Sequence, residues 1–207
     1  MPNVVILAAG DFPRKGGRAW EMLSSARRVV CCDGAADAYR RRTGREPDAV
    51  VGDCDSVKGR FANLVRVAEQ ETNDLEKAAR FCVSRRWGRP VVLGATGKRE
   101  DHSIGNVFRA LDLGLEIVTD YGRFVPVEGS ATLRVRKGAA VSVFAPDPAT
   151  RMTSQGLEWP LAGVAFRNLY CATLNRATAA RVALTASRRV CVFIEERDQK
   201  RSRTRNR

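Results

Sequence analysis

The first ~120 residues alternate short apolar runs with stretches of helical periodicity, and this pattern limits the chain more than any other feature. Residues 3–8, 28–32, 48–51, 90–93 and 115–119 form the runs. They are too short to be buried helices and are spaced for crossover connections, which predicts strands of a parallel sheet joined by helices. Most end on small or acidic residues: Gly10-Asp11, Asp33-Gly34, Gly52-Asp53, Gly94 and, after the fifth, Asp120-Tyr121-Gly122. In open α/β sheets ligands bind outside the carboxyl ends of the strands, so these endings predict a site built from loops along one sheet edge. Between the runs, Asn73 and Glu76 have capping-box spacing ahead of a face made by Leu75, Ala78, Ala79 and Cys82. A second face is expected from Ile104, Val107, Phe108 and Leu111.

The character changes after about Tyr121. Residues 131–136, 140–144, 164–166, 180–186 and 189–194 are β-like runs punctuated by Gly138 and Pro146-Asp147-Pro148, and no helix-length periodic segment follows. A small all-β domain, a sandwich or barrel-like sheet, is expected. The fold class is therefore α/β, with an N-terminal Rossmann-like parallel-sheet domain over residues 1–122 and a β-sandwich domain over 123–196. Residues 197–207 form a basic tail expected to be disordered. It holds six Lys or Arg against one Asp, so it supplies five of the thirteen net positive charges. The basic remainder suits anionic ligands.

With 44% apolar and 29% charged residues the composition is that of a soluble globular protein, and nothing approaches the about 18 apolar residues of a membrane span. The first apolar run is too short for a signal-peptide core, so a cytoplasmic location is expected. The six cysteines lie mostly in apolar runs, and none forms a CxxC pair. They read as reduced hydrophobic residues, with Cys31 and Cys32 on opposite faces of a strand. A single histidine, His102, builds no multi-histidine metal site.

Chemistry concentrates at Val51-Gly52-Asp53-Cys54-Asp55-Ser56. If the strand stays extended, Asp53 and Asp55 point to one side, and two such carboxylates need a positive partner; a divalent metal carrying phosphates would serve. A capped turn explains the same residues equally well. Asp74 opens a helix, where an acid also complements the dipole, and Lys77 follows one turn later. The loop Gly94-Ala95-Thr96-Gly97-Lys98-Arg99-Glu100-Asp101-His102 brings backbone N–H groups toward an anion, without the spacing of a Walker A loop or a dinucleotide fingerprint. Asp101 serves equally as a helix cap, and packing or capping is the plainer role for His102. Trp159, in Ser154-Gln155-Gly156-Leu157-Glu158-Trp159, is either core or a platform for a flat cationic ring.

Taken in order, these segments resemble the thiamin pyrophosphokinase family. Its pattern DGGA, VGDxDS, T-D, GRxDH and GLxW stands here as Asp33-Gly34-Ala35-Ala36, Val51-Gly52-Asp53-Cys54-Asp55-Ser56, Thr72-Asn73-Asp74, Gly97-Lys98-Arg99-Glu100-Asp101-His102 and Gly156-Leu157-Glu158-Trp159, and Leu174-Asn175-Arg176-Ala177 resembles a later Asn segment. The resemblance covers about residues 4–194. It implies transfer of a pyrophosphoryl group from ATP to the thiamin hydroxyl, giving thiamin pyrophosphate and AMP, in a homodimer with thiamin sites between subunits. Carried onto this chain, it implies Mg²⁺ on Asp53, Asp55 and Asp74, with Asp101 as the fourth catalytic carboxylate. It implies ATP contacts from Asp33, Gly34, Ser56, Thr72, Lys77, Gly94, Gly97, Arg99 and His102, and thiamin contacts from Ser154, Trp159 and Asn175. The departures are Ala35 for a glycine, Cys54 for a frequent Phe, and Cys171-Ala172-Thr173-Leu174 for a small-residue run. Two other readings compete. A haloacid-dehalogenase-type phosphatase would use Asp53 as nucleophile, but its carboxylate pair usually follows the first strand. A basic nucleic-acid binder would suit the charge, but the basic residues are dispersed and no nucleic-acid module is recognisable. No membrane or specific nucleic-acid partner is expected.

Overall fold

The computed structural model describes residues 3–196; the basic segment 197–207 lies outside the described residues. It is a mixed α/β protein in two compact units, which divide between Thr119 and Asp120.

In the first unit six strands, β1 (Val4–Leu7), β2 (Arg28–Cys32), β3 (Ala49–Gly52), β4 (Leu64–Arg66), β5 (Val91–Leu93) and β6 (Ile117–Val118), lie in the order β4-β3-β2-β1-β5-β6. Every neighbouring pair is parallel. The centre is β1, whose four residues are all at 0% exposure. Such a run must be apolar on both faces because helices cover both sides of a parallel sheet. Helices α1 (Arg18–Ser25) and α2 (Ala35–Thr43) bury Leu23 and Tyr39 with Val5, Leu7, Val29, Cys31 and Val50. Helix α3 (Asp74–Ser84) packs on β2 and β3, and against α4 (Glu100–Asp112). Cys31 joins the α1–α2 core, whereas Cys32 is close enough to Cys82 of α3 to feel it, so the two thiols do face opposite ways.

Strand β4 is absent from the sequence-based expectation because its residues are exposed, partly buried and exposed in turn, as an edge strand allows. The expected face of α3 is fully buried, and Asn73 caps it by accepting from the Glu76 N–H at 3.0 Å. The expected face of α4 is only partly so. Leu111 is buried, Val107 and Phe108 are half-buried, and Ile104 is 61% exposed. The apolar stripe is continuous, but only its carboxyl-terminal end is buried.

The second unit is built on a long antiparallel pair, β7 (Gly122–Arg134) with β11 (Arg181–Glu195). The other edge of β11 carries β9 (Met152–Gln155) beside residues 183–186 and β8 (Ala140–Phe144) beside residues 191–194. Strand β10 (Ala172–Arg176) pairs with β8. The runs 180–186 and 189–194, expected as separate strands, are one strand. Its register slips between Ala186 and Val190, opposite Gly129, whose φ of 70° absorbs the irregularity. The run 164–166 forms no strand, although Phe166 is buried in the core with Val143, Val182 and Val192.

Candidate active site

Strands β2 and β3 are parallel neighbours, so the residues following them emerge together at one edge of the sheet. Asp33 follows β2 and Asp74 begins α3, which crosses these strands. Their side chains meet over Gly52, the last residue of β3. A Cβ there would lie 3.0 Å from the Asp33 Cβ and 3.2 Å from Asp74 Oδ1. A side chain there would force the two acids to shift by a few tenths of an ångström. Asp53, the next residue, is near enough for its charge to act on Asp74. Asp33 is 4% exposed; its Oδ2 accepts from the Ser56 N–H at 3.1 Å and the Ser56 hydroxyl at 2.7 Å, while its Oδ1 is buried with no partner. Lys77, also 4% exposed, places its ammonium 3.6 Å from Asp74 Oδ1.

The electrostatics follow from this crowding. The Asp74 carboxyl is pushed above its usual range, first by burial and then by the charges of Asp53 and Asp33, with Lys77 opposing. The Asp53 carboxyl is held below its usual range, chiefly by the Asp55 N–H, which donates to Asp53 Oδ1 at 3.3 Å. A buried carboxylate oxygen without a donor, beside two further carboxylates, has the donor chemistry of a hard divalent cation. Among the described residues no three His, Cys, Asp or Glu side chains already stand in coordinating geometry.

The expected partnership of Asp53 with Asp55 takes a different form. The strand stops at Gly52, and Cys54 turns through a φ of 70°, so the chain is not extended across the pair. Asp55 is exposed, and its backbone, not its carboxylate, meets Asp53. Ser56 and Thr72, both expected at ATP, hold their own loops. The Ser56 hydroxyl binds Asp33, and the Thr72 hydroxyl and N–H donate to Glu69. Gly34 is close-packed on Ser56, since a Cβ would sit 3.1 Å from its Oγ. Ala35 is 3% exposed in the α2 core, where the departure from glycine costs nothing visible.

The loop from Gly94 to Arg99 follows β5 beside the end of β1, where the strand order reverses, the position that open α/β sheets use for ligands. It is pinned to the loop after β1. Gly10 N–H donates to Gly94 O and Asp11 N–H to Thr96 O, each at 2.7 Å, and Lys98 Nζ donates to Ala9 O at 2.6 Å. Gly97 adopts a φ of 85°, and a Cβ on it would collide with the Asp11 carboxyl. Its N–H donates to Ser103 Oγ at 3.0 Å. Helix α4 is preceded by Arg99 as N-cap residue, so Asp101 lies inside the first turn. Arg99 Nε and Nη2 donate to Asp101 Oδ1 and Oδ2 along one guanidinium edge, and that pairing holds the Asp101 carboxyl down at about 2. His102 is exposed.

In the second unit, Trp159 is 56% exposed, so it is not core. Its backbone is nevertheless fixed. Asn175, 5% exposed, accepts from the Trp159 N–H at 3.2 Å and donates to the Trp159 carbonyl at 2.7 Å. Ser154 Oγ accepts from the Leu161 N–H at 2.9 Å. Asn175 and Ser154 hold the loop that presents the ring, roles a motif match does not reveal. Asp11, Glu69, Gln70 and Asn106 (whose amide donates to Ala95 O at 2.9 Å) also belong to the framework of the site. Only Asp11 carried a sequence signal, as an acid ending the first strand.

Comparison with known proteins agrees with this layout. The family model for the thiamin pyrophosphokinase catalytic domain matches residues 19–118, and the model for the thiamin pyrophosphokinase substrate-binding domain matches residues 122–193. Among curated protein sequences none matches. Solved structures share the fold at low identity. A thiamin pyrophosphokinase family protein from Enterococcus faecalis superposes with a TM-score of 0.75 at 15% identity, covering 95% of this chain and 100% of its own. Thiamin pyrophosphokinase from Geobacillus thermodenitrificans gives 0.71 at 22%, covering 95% and 98%. The enzyme from Candida albicans gives 0.74 at 15%, covering 94% and 90%. Two domain models in sequence, spanning most of the chain on either side of the break between its units, place it as a member of the thiamin pyrophosphokinase family.

Proposed function

We propose that this protein transfers the pyrophosphoryl group of ATP to the hydroxyl of thiamin, forming thiamin pyrophosphate and AMP. One observation carries the chemistry: Asp33 and Asp74 meet over Gly52 at the carboxyl edge of the sheet, with Asp53 next along the chain and an Asp33 oxygen left unpaired. The thiamin oxygen attacks the β-phosphorus and gives up its proton to solvent, the bond between the β-phosphorus and the oxygen bridging to the α-phosphorus breaks, and AMP departs with that oxygen. Catalysis of such a transfer rests on positioning and on stabilising charge spread over phosphate oxygens.

In this reading Asp53, Asp55 and Asp74 would hold Mg²⁺, with Asp33 beside Asp74. Bound there, Mg²⁺ would neutralise phosphate charge. Lys77 compensates the carboxylates and faces the phosphates. The loop from Gly94 to Arg99, through the Arg99 guanidinium, receives the remaining phosphate oxygens. Asp101, the fourth catalytic carboxylate, orients the alcohol. The exposed Trp159 ring stacks on the permanently cationic thiazolium.

The reading extends to the rest of the chain. Residues 1–122 serve as a Rossmann-like ATP domain and 123–196 as a β-sandwich thiamin and dimerisation domain; β11 changes partners at its bulge, as strands that pass between two layers do. The protein works in the cytoplasm as a homodimer with thiamin sites between subunits. Incubation with Mg²⁺, ATP and thiamin tests the function. Thiamin pyrophosphate and AMP in equal amounts are expected; ADP as the only nucleotide product would rule out attack at the β-phosphorus.

A further inference from the structure

We propose that Asn106 is a positioning residue that couples the carboxylate cluster to the phosphate-facing loop. The inference rests on the pyrophosphokinase reading of those two groups. They belong to separate elements: Asp74 and Lys77 stand on the first turn of α3, and residues 94–99 precede α4. Asn106 lies in the second turn of α4, on a stretch otherwise apolar at Ile104, Val107 and Phe108. Its amide uses both ends. Nδ2 donates to the carbonyl of Ala95 at 2.9 Å, and Ala95 is 1% exposed. Its Oδ1 accepts from Asn73 Nδ2 at 3.4 Å, and Asn73 is the N-cap residue of α3. The Asn73 amide is used in the same way, because its Oδ1 accepts from the Glu76 N–H at 3.0 Å.

A continuous line of hydrogen bonds thus runs from the start of α3 to the carbonyl next to Gly94. Both amide orientations are consistent with it, since every amide nitrogen meets an acceptor and every amide oxygen a donor. A second contact lies one turn on along both helices. Glu76, 7% exposed, pairs with Arg109 at 3.3 Å, three residues after Asn73 and Asn106 respectively. With that ion pair holding the helices together, the amide line sets where the loop sits relative to Asp74. A displacement of about 1 Å at that loop is enough to weaken phosphate alignment severely.

The test compares Asn106→Ala, Asn73→Ser and the double variant. Serine keeps the N-cap acceptor but is too short to reach Asn106, so Asn73→Ser breaks the line without uncapping α3. Each single variant is expected to raise KM for ATP about fivefold or more with KM for thiamin unchanged, and the double variant to be no worse than the worse single one. Amide hydrogen exchange across residues 94–99 is expected to accelerate in Asn73→Ser, far away in sequence, with thermal melting unchanged. Unaltered ATP kinetics and unaltered exchange in Asn73→Ser would overturn the proposal, as would strictly additive effects in the double variant. Failure of the wild-type protein to make thiamin pyrophosphate would overturn the functional reading itself, and the exchange result would still report on the coupling.

Discussion

At Gly52 a missing side chain creates the space in which Asp33 and Asp74 meet. Gly52→Ala forces a methyl group against both, and is expected to cost about 1–3 kcal/mol in chemical denaturation together with nearly all turnover. Asp53→Asn leaves the packing intact and removes one charge. The expected outcome is a fall in kcat of about a hundredfold or more with unchanged melting, measured as thiamin pyrophosphate formed per enzyme. Near-normal turnover would remove Asp53 from the site. Trp159 separates binding from stability differently, since its backbone is held by Asn175 while its ring is 56% exposed. Trp159→Ala is expected to raise KM for thiamin about tenfold, the value of one desolvated cation–ring contact, without lowering the melting temperature.

Helices α3 and α4 deliver the charged residues, and their amino termini are where local sequence matters most. Asn73 caps α3. Asn73→Ala is expected to lose about 1 kcal/mol of stability by urea denaturation, whereas Asn73→Ser retains it. The buried face of α3 was legible in advance because Leu75, Ala78, Ala79 and Cys82 recur at helical spacing and the sheet lies beneath all of them. Helix α4 has the same periodicity, yet Ile104 is exposed. Periodicity identifies a face, but the length of that face that is covered depends on where the neighbouring strands end. In the second unit, β9 and β10 escaped sequence reading because they are four and five residues long and interleave exposed polar side chains. Edge and surface strands carry little apolar signal.

For the whole molecule, binding should couple to stability. The Mg²⁺–ATP complex at about a hundred times its dissociation constant is expected to stabilise the protein by about 2.7 kcal/mol, seen as a raised melting temperature. EDTA should abolish both this rise and turnover, and excess Mg²⁺ should restore both. Turnover that persists in EDTA would contradict the assignment of Mg²⁺ to these carboxylates. The sequence by itself determined the alternation of strands and helices, the acidic and glycine-rich endings, and the family, since these depend on side-chain periodicity, turn chemistry and motif order within short windows of chain. It did not determine which carboxylates share a point. Asp53 and Asp55 are neighbours in sequence but are divided by the turn at Cys54, whereas Asp33 and Asp74 are forty-one positions apart and meet over one glycine. The tertiary structure decided this, along with the burial of Lys77 and the exposure of Trp159, because strand order and helix placement bring distant residues together and no local pattern records that.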